Sequence, residues 1–225
     1  MHSRAGRIRK PSLIDVRYKF EQETDVTDIS YSGVGLFKAP LRGLPSEGSV
    51  LEGTLQFPDT EFKVPVKVVC YHAQVIGCCY VERPDSLKSY LKSQYKPELA
   101  ALGLKKVDNS KLKSQIDGSP HWYFDGYDCE LFYIVKAGEL VRYRVAFLGR
   151  YFEGKPGKPP RYATYKADVH EGLRMPGSKI VHDRSNISSN DIENVIKFLT
   201  HVENFDDEYK KQVLASLLML PLIKN

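Results

Sequence analysis

The stretch Phe62-Lys63-Val64-Pro65-Val66-Lys67-Val68-Val69-Cys70, followed by Tyr71-His72-Ala73-Gln74 and Val75-Ile76-Gly77-Cys78-Cys79-Tyr80-Val81, decides the fold class of this chain. Phe62, Val64, Val66, Val68 and Cys70 recur at every second position, the period of a strand with one buried face. The four residues 71–74 are long enough only for a tight connection, so the second run returns beside the first as a meander. Upstream, Leu51, Gly53, Leu55 and Phe57 alternate with polar partners, and Pro58-Asp59-Thr60 turns the chain. Further back, residues 13–20 place Ile14, Val16, Tyr18 and Phe20 on one side and Leu13, Asp15, Arg17 and Lys19 on the other. Residues 26–37 read as a further strand-turn-strand. Five or six short strands with tight connections predict a small barrel or sandwich.

Downstream, Pro84-Asp85-Ser86 opens a helix with Leu87, Tyr90 and Leu91 at helical spacing, and residues 97–104 add a further helical turn. Residues 1–104 are therefore expected to form one domain. Residues 105–118 are lysine-rich and poor in apolar anchors, as a linker is. Residues 119–225 are expected to form a second, α+β domain. It begins with aromatic strands within residues 121–148, where Lys136-Ala137-Gly138-Glu139 is a hairpin turn. Residues 154–160 carry too many prolines for a helix or central strand. Two helices close the chain: one capped by Ser189 or Asn190 and carrying Ile192, Val195, Ile196 and Leu199, the other opened by Asp206 and Asp207.

The composition fits a soluble globular chain: 225 residues, 42% hydrophobic and 27% charged, with a mean hydropathy of −0.38. The longest apolar run, residues 217–223, is far below the roughly 20 residues of a membrane span. The basic N-terminus leads into no apolar stretch, so no secretory signal is expected. Four cysteines, two of them adjacent, make no disulfide framework. The expected compartment is the cytoplasm.

Net charge is +5 from 33 basic and 28 acidic residues. Arg4, Arg7, Arg9, Lys10, Arg17 and Lys19 face the single acid Asp15 within residues 1–19, so the whole excess sits in an N-terminal arm suited to anions. Catalytic constellations are scarce. No glycine-rich phosphate loop of common spacing occurs, and the six histidines are scattered. Cys70, His72, Cys78 and Cys79 share one hairpin, but Cys78 and Cys79 point to opposite faces; they read as buried strand cysteines, and no metal is expected. No residue is expected to be catalytic, and the chain does not read as an enzyme. Trp122, Tyr123 and Phe124 can stack bases, yet hairpin and core aromatics account for them, and charge outside the arm is not concentrated enough for nucleic acid.

One constellation remains. Asp28-Ile29-Ser30-Tyr31-Ser32-Gly33 fits Asp-x-Ser-x-x-Gly, between strands and about 20 residues after the arginines. Asp28 and Ser30 sit at alternate positions and so on one strand face, while Gly33 permits a left-handed or closely approached backbone. Such a strand can read a base edge while arm guanidinium groups hold phosphates. The competing reading is a local Asx/Ser turn that ends a strand.

Taken together, the arginine cluster, this turn, the meander, residues 75–81 and the closing helix resemble the PilZ domain family over residues 1 to about 95. The resemblance implies a six-stranded barrel that binds the bacterial second messenger cyclic di-GMP. It implies ligand-binding roles for Arg4, Arg7, Arg9, Asp28, Ser30 and Gly33. The family's arm motif is Arg-x-x-x-Arg, whereas here Arg4 pairs with Arg7 and Arg9 at spacings of three and five. The expected function is a cyclic di-GMP receptor or adaptor whose arm rearranges on binding and signals to a protein partner. The alternative is a degenerate PilZ-like interaction module that binds no nucleotide. Residues 105–225 resemble no family.

Overall fold

The computed structural model describes residues 7–9, 12–112, 118–165, 181–184 and 186–223. The chain is mainly β and divides into two compact units, 1–99 and 100–225, the division falling inside a helix rather than at residue 104.

The first unit contains nine short strands: β1 (Ile8–Arg9), β2 (Arg17–Lys19), β3 (Glu23–Ile29), β4 (Gly33–Phe37), β5 (Val50–Leu51), β6 (Thr54–Gln56), β7 (Glu61–Lys63), β8 (Val66–Tyr71) and β9 (Val75–Tyr80). Their hydrogen-bonded order is β5-β8-β9-β4-β3-β2-β6-β7, with β1 added on β3. Every ladder is antiparallel. The order itself forces curvature. β5 and β6 lie near opposite ends of the path yet are joined by Glu52 and Gly53 alone, and β7 and β8 by Val64 and Pro65 alone. Two linking residues span only about 10 Å, so the sheet must curl until its ends approach each other.

Tyr18 fastens this seam. Its ring is fully buried, and its hydroxyl lies 2.9 Å from the Leu51 carbonyl and 2.8 Å from the Val64 carbonyl, either of which it can donate to. Gly53 runs against the same ring, where a Cβ would come within 2.6 Å of it. Val26, Ile29, Val34, Leu36, Val66 and Ile76 fill the concave side. Helix α1 (Asp85–Gln94) lays Leu87 and Leu91 into this core, and Tyr90 meets Phe57 at 4.7 Å between ring centroids.

The simple alternation expected over residues 13–20 does not hold. Only residues 17–19 are strand; Leu13 is 1% exposed and Ile14 66% exposed. Asp15 takes the left-handed conformation (φ 58°) and twists the chain between Leu13 and Val16, so apolar residues three apart both turn inward.

Helix α2 (Lys96–Leu102) leads into the second unit. The stretch expected to be a linker begins as β10 (Lys105–Lys106), paired with Phe124 and Tyr123, and a 3-10 turn at Asn109–Lys111 follows. The lysine side chains are exposed, as in the linker expectation, but the backbone takes up an edge of the next sheet. The rest of that expected linker includes residues 113–117, outside the described residues. A seven-stranded antiparallel meander continues through β11 (Ser119–Phe124), β12 (Glu130–Lys136), β13 (Glu139–Phe147), β14 (Arg150–Gly154), β15 (Arg161–Tyr165) and β16 (Val181–Arg184). Ala137 and Gly138 both have positive φ, the two-residue turn that matches strand twist.

Two helices pack on this sheet, α3 (Ser189–His201) and α4 (Asp207–Leu217). Phe198 stacks on Phe147 at 4.7 Å, and Phe205 meets Tyr133 at 5.2 Å. The cap of α3 is Ser188, one residue before the two candidates read from sequence; its hydroxyl accepts from the Asp191 N–H. Asp206 caps α4 through the Glu208 and Tyr209 N–H groups. Asp191 then joins helix to sheet, accepting from Arg150 Nε at 2.8 Å and from the Tyr162 hydroxyl at 3.0 Å.

Both units are rich in buried tyrosine. Burial pushes the Tyr143 and Tyr162 hydroxyls up to about 12 and raises Tyr18, Tyr133 and Tyr165 further. A raised folded value leaves the stabilising contribution intact below the unfolded tyrosine pKa of about 10 and removes it as pH rises beyond that. Stability is therefore expected to fall steeply above about pH 10. Ultraviolet titration of tyrosinate should show a class that ionises only as the near-ultraviolet circular dichroism collapses. Smooth ionisation of all 14 tyrosines near the unperturbed value, with the fold intact, would contradict this packing.

Candidate functional site

Strand β3 and the turn after it hold the acidic side of the site, and the irregularity of the strand is what exposes Asp28. In the β3–β4 ladder Val26 opposes Leu36 while Asp28 opposes Gly35, so Thr27 is an inserted, bulged residue. Val26 and Ile29, three apart, thereby both enter the core, leaving Thr27 and Asp28 on the outside. Gly35 faces these two side chains; a Cβ there would run into Asp28 Oδ2 and come within 2.6 Å of Thr27 Oγ1. The missing side chain at Gly35 is thus what makes room for the carboxylate.

The basic side is residues 7–9. Ile8 is 1% exposed and pins β1 onto β3, with Ile8 opposite Ile29 and Arg9 opposite Asp28. Arg7 Nη1 donates to Asp28 Oδ1 at 2.6 Å, with the arginine half-exposed and the aspartate largely covered. Asp28 Oδ2 accepts from the Thr27 hydroxyl at 3.2 Å. The arm, expected to be loose, is therefore docked at residues 7–9 by one buried isoleucine and a ladder. Arg4 lies outside the described residues.

Ser30 lies past the end of β3 and is only 5% exposed. Its Oγ accepts from the Ser32 and Gly33 N–H groups, each at 3.2 Å, and its own N–H donates to the Gly33 carbonyl at 2.9 Å. The strand alternation that would align Ser30 with Asp28 stops one residue too early, and the hydroxyl serves the turn. Gly33 keeps an ordinary φ; its requirement is close approach, since a Cβ would collide with the Cys78 carbonyl of β9. Sequence reading groups Asp28 with Arg7 and Arg9, and in the structure the β1–β3 pairing brings these three residues next to one another.

It misses three residues. Gly35 has a weak signal, the second glycine of Gly33-Val34-Gly35 inside a strand. Arg83 and Tyr31 have none. Arg83, in the β9–α1 connection, donates through Nη1 to the Tyr31 carbonyl and lies over the Tyr31 ring, 5.7 Å from its centroid. Beside them Tyr80 keeps a buried hydroxyl, raised chiefly by burial, with Arg83 opposing and Asp28 adding to the shift.

The cysteine hairpin assembles nothing comparable. Cys70 Sγ lies 3.6 Å from His72 Nε2, Cys78 is buried with its thiol pushed up to about 12, and Cys79 is on the other strand face. Among the described residues no group of three or more histidine, cysteine or acidic side chains is placed to hold a metal ion. Among the described residues, too, no helix is long and apolar enough to cross a membrane.

A scan against protein-family models finds no match, and comparison with curated proteins finds none either. Among solved structures, the chain is similar to an uncharacterised Legionella protein at 15% identity and a TM-score of 0.31, over 39% of this chain and 89% of that one.

Substituting Gly35 by Ala should force the Asp28 carboxylate away from Arg7 and lower stability by about 1–3 kcal/mol, the usual cost of overpacking. Urea denaturation checks this. An unchanged midpoint would mean that the carboxylate is not confined as described.

Proposed function

We propose that this chain is a cyclic di-GMP receptor of the PilZ type. In this reading the curled sheet of the first unit is the ligand-binding barrel and Arg4, Arg7, Arg9, Asp28, Ser30 and Gly33 belong to its site. The observation that carries the reading is the juxtaposition of the arm with the turn: Arg9 opposite Asp28 in the ladder and Arg7 on its carboxylate. A bis-phosphate with two purines needs cations for its phosphates and a carboxylate for the N–H groups of a guanine edge. Both are supplied within one short β-ladder.

On binding, a ligand phosphate takes the Arg7 guanidinium that Asp28 holds, and the freed carboxylate accepts from the base. The exchange is close to balanced electrostatically, because one charge-assisted bond replaces another. The arm then leaves or shifts on β3, and the changed surface is what a protein partner reads. Signalling of this kind requires no catalytic residue and no metal, and it belongs in the cytoplasm, where a nucleotide messenger resides.

A second reading has its own observation. The Ser30 hydroxyl and the Asp28 carboxylate are both engaged within the chain, as they would be in an interaction module that binds no nucleotide. Titration calorimetry of the full chain with cyclic di-GMP, at low and raised salt, separates the two. Micromolar binding that weakens with salt is expected; no heat at high protein concentration leaves the second reading. Asp28→Ala should lower affinity at least tenfold, about 1.4 kcal/mol, while costing under about 1 kcal/mol of stability, since its ion pair is partly solvated. Unchanged affinity with a lowered melting temperature would make the turn purely structural.

A further inference from the structure

We infer that Arg83 is a further binding residue of the Asp28 site, and that its guanidinium, held over the Tyr31 ring, is the flat plate on which a purine base stacks. The inference rests on the reading of that site as a nucleotide site. Tyr31 belongs to the turn between Asp28 and Gly33, whereas Arg83 comes from 52 residues further on, where the chain leaves β9 for α1. Two contacts hold the arginine over the turn: Nη1 on the Tyr31 carbonyl, and Cζ over the Tyr31 ring, 5.7 Å from its centroid. A clip that merely held the turn would need the first contact alone.

The second observation is what the clip leaves over. Arg83 Nε is buried without an acceptor, and the Tyr80 hydroxyl beside it is buried without a partner. Unmade bonds on buried donors are costly, and each calls for an explanation. Both lie where the end of β9 meets the turn that follows Asp28, with Cys79 opposite Gly33 and the Tyr80 N–H donating to the Ser32 carbonyl. A planar guanidinium already oriented on an aromatic ring is also the group best suited to lie against a purine, through cation–π and stacking contacts that an ammonium does not reproduce. The arm arginines then serve the phosphates, and Arg83 serves the base.

The test is titration calorimetry of the full chain with cyclic di-GMP and with cyclic di-UMP, which keeps the phosphate ring and replaces each purine by a pyrimidine. Arg83→Lys, which keeps the charge and loses the plane, should weaken cyclic di-GMP about tenfold, and so should Tyr31→Leu. Both should leave the weaker binding of cyclic di-UMP within twofold. Melting curves check the fold. Tyr31→Leu retains the backbone carbonyl that Arg83 grips, so it remains informative if the Arg83 variants unfold. Unchanged cyclic di-GMP affinity in the folded variants overturns the inference and leaves the Asp28 site standing. Full affinity in Arg83→Lys with a loss in Arg83→Ala also overturns the plate, because a point charge then suffices. Absence of binding by the unaltered chain overturns the nucleotide reading and this inference with it.

Discussion

The buried hydroxyl of Tyr18, within hydrogen-bonding distance of the Leu51 and Val64 carbonyls, holds together the seam on which the first unit depends. The first carbonyl ends β5 and the second lies in the β7–β8 connection, at the two places where the chain passes between opposite ends of the strand order. A buried carbonyl without a donor costs about 1–3 kcal/mol, and the single Tyr18 proton lies within reach of either one. Gly53 completes the arrangement by letting the backbone lie directly on the ring.

In the second unit the corresponding element is Asp191, a nearly buried carboxylate in the first turn of α3. Its position suits the helix dipole, and its two remaining partners, Arg150 and Tyr162, come from adjacent strands. The carboxylate therefore fixes both the rotation of the helix and its height over the sheet. The apolar layer beneath, with Phe147, Phe152, Phe198 and Leu199, supplies most of the burial, while the polar contacts select one arrangement of it.

For the receptor proposed above, the docked arm changes how binding would have to work. Ile8 buries its side chain, so residues 7–9 are part of the folded sheet before any ligand arrives. Less ordering entropy then opposes binding, and the ligand competes instead with an ion pair already made. Competition of this sort exchanges partners rather than folding a disordered segment, which favours a small, specific displacement of the arm.

Period-two alternation by itself determined the antiparallel β class and the extended character of residues 51–81, because burial of one face leaves its mark at every second position. It did not show the breaks at Glu52-Gly53 and Val64-Pro65, which split each expected strand between opposite ends of the strand order. Capping and turn chemistry determined the helix starts near Asp85 and Asp206 and the 137–138 turn. The aspartate-serine-glycine pattern marked the turn beside which the arm docks. Tertiary structure decided what those local rules cannot reach. The left-handed Asp15 and the bulge at Thr27 reversed which residues face the core, since a single inserted residue shifts every side chain after it to the other face. The exposed lysines at 105–106 were legible as polar, but their pairing with β11 depended on a neighbour nearly 20 residues away. Arg83 carried no local signal at all. Its place over Tyr31 follows from the pairing of β9 with β4, which sets Cys79 opposite Gly33 and the end of β9 beside the turn after β3, a contact made by folding and not by any spacing in the sequence.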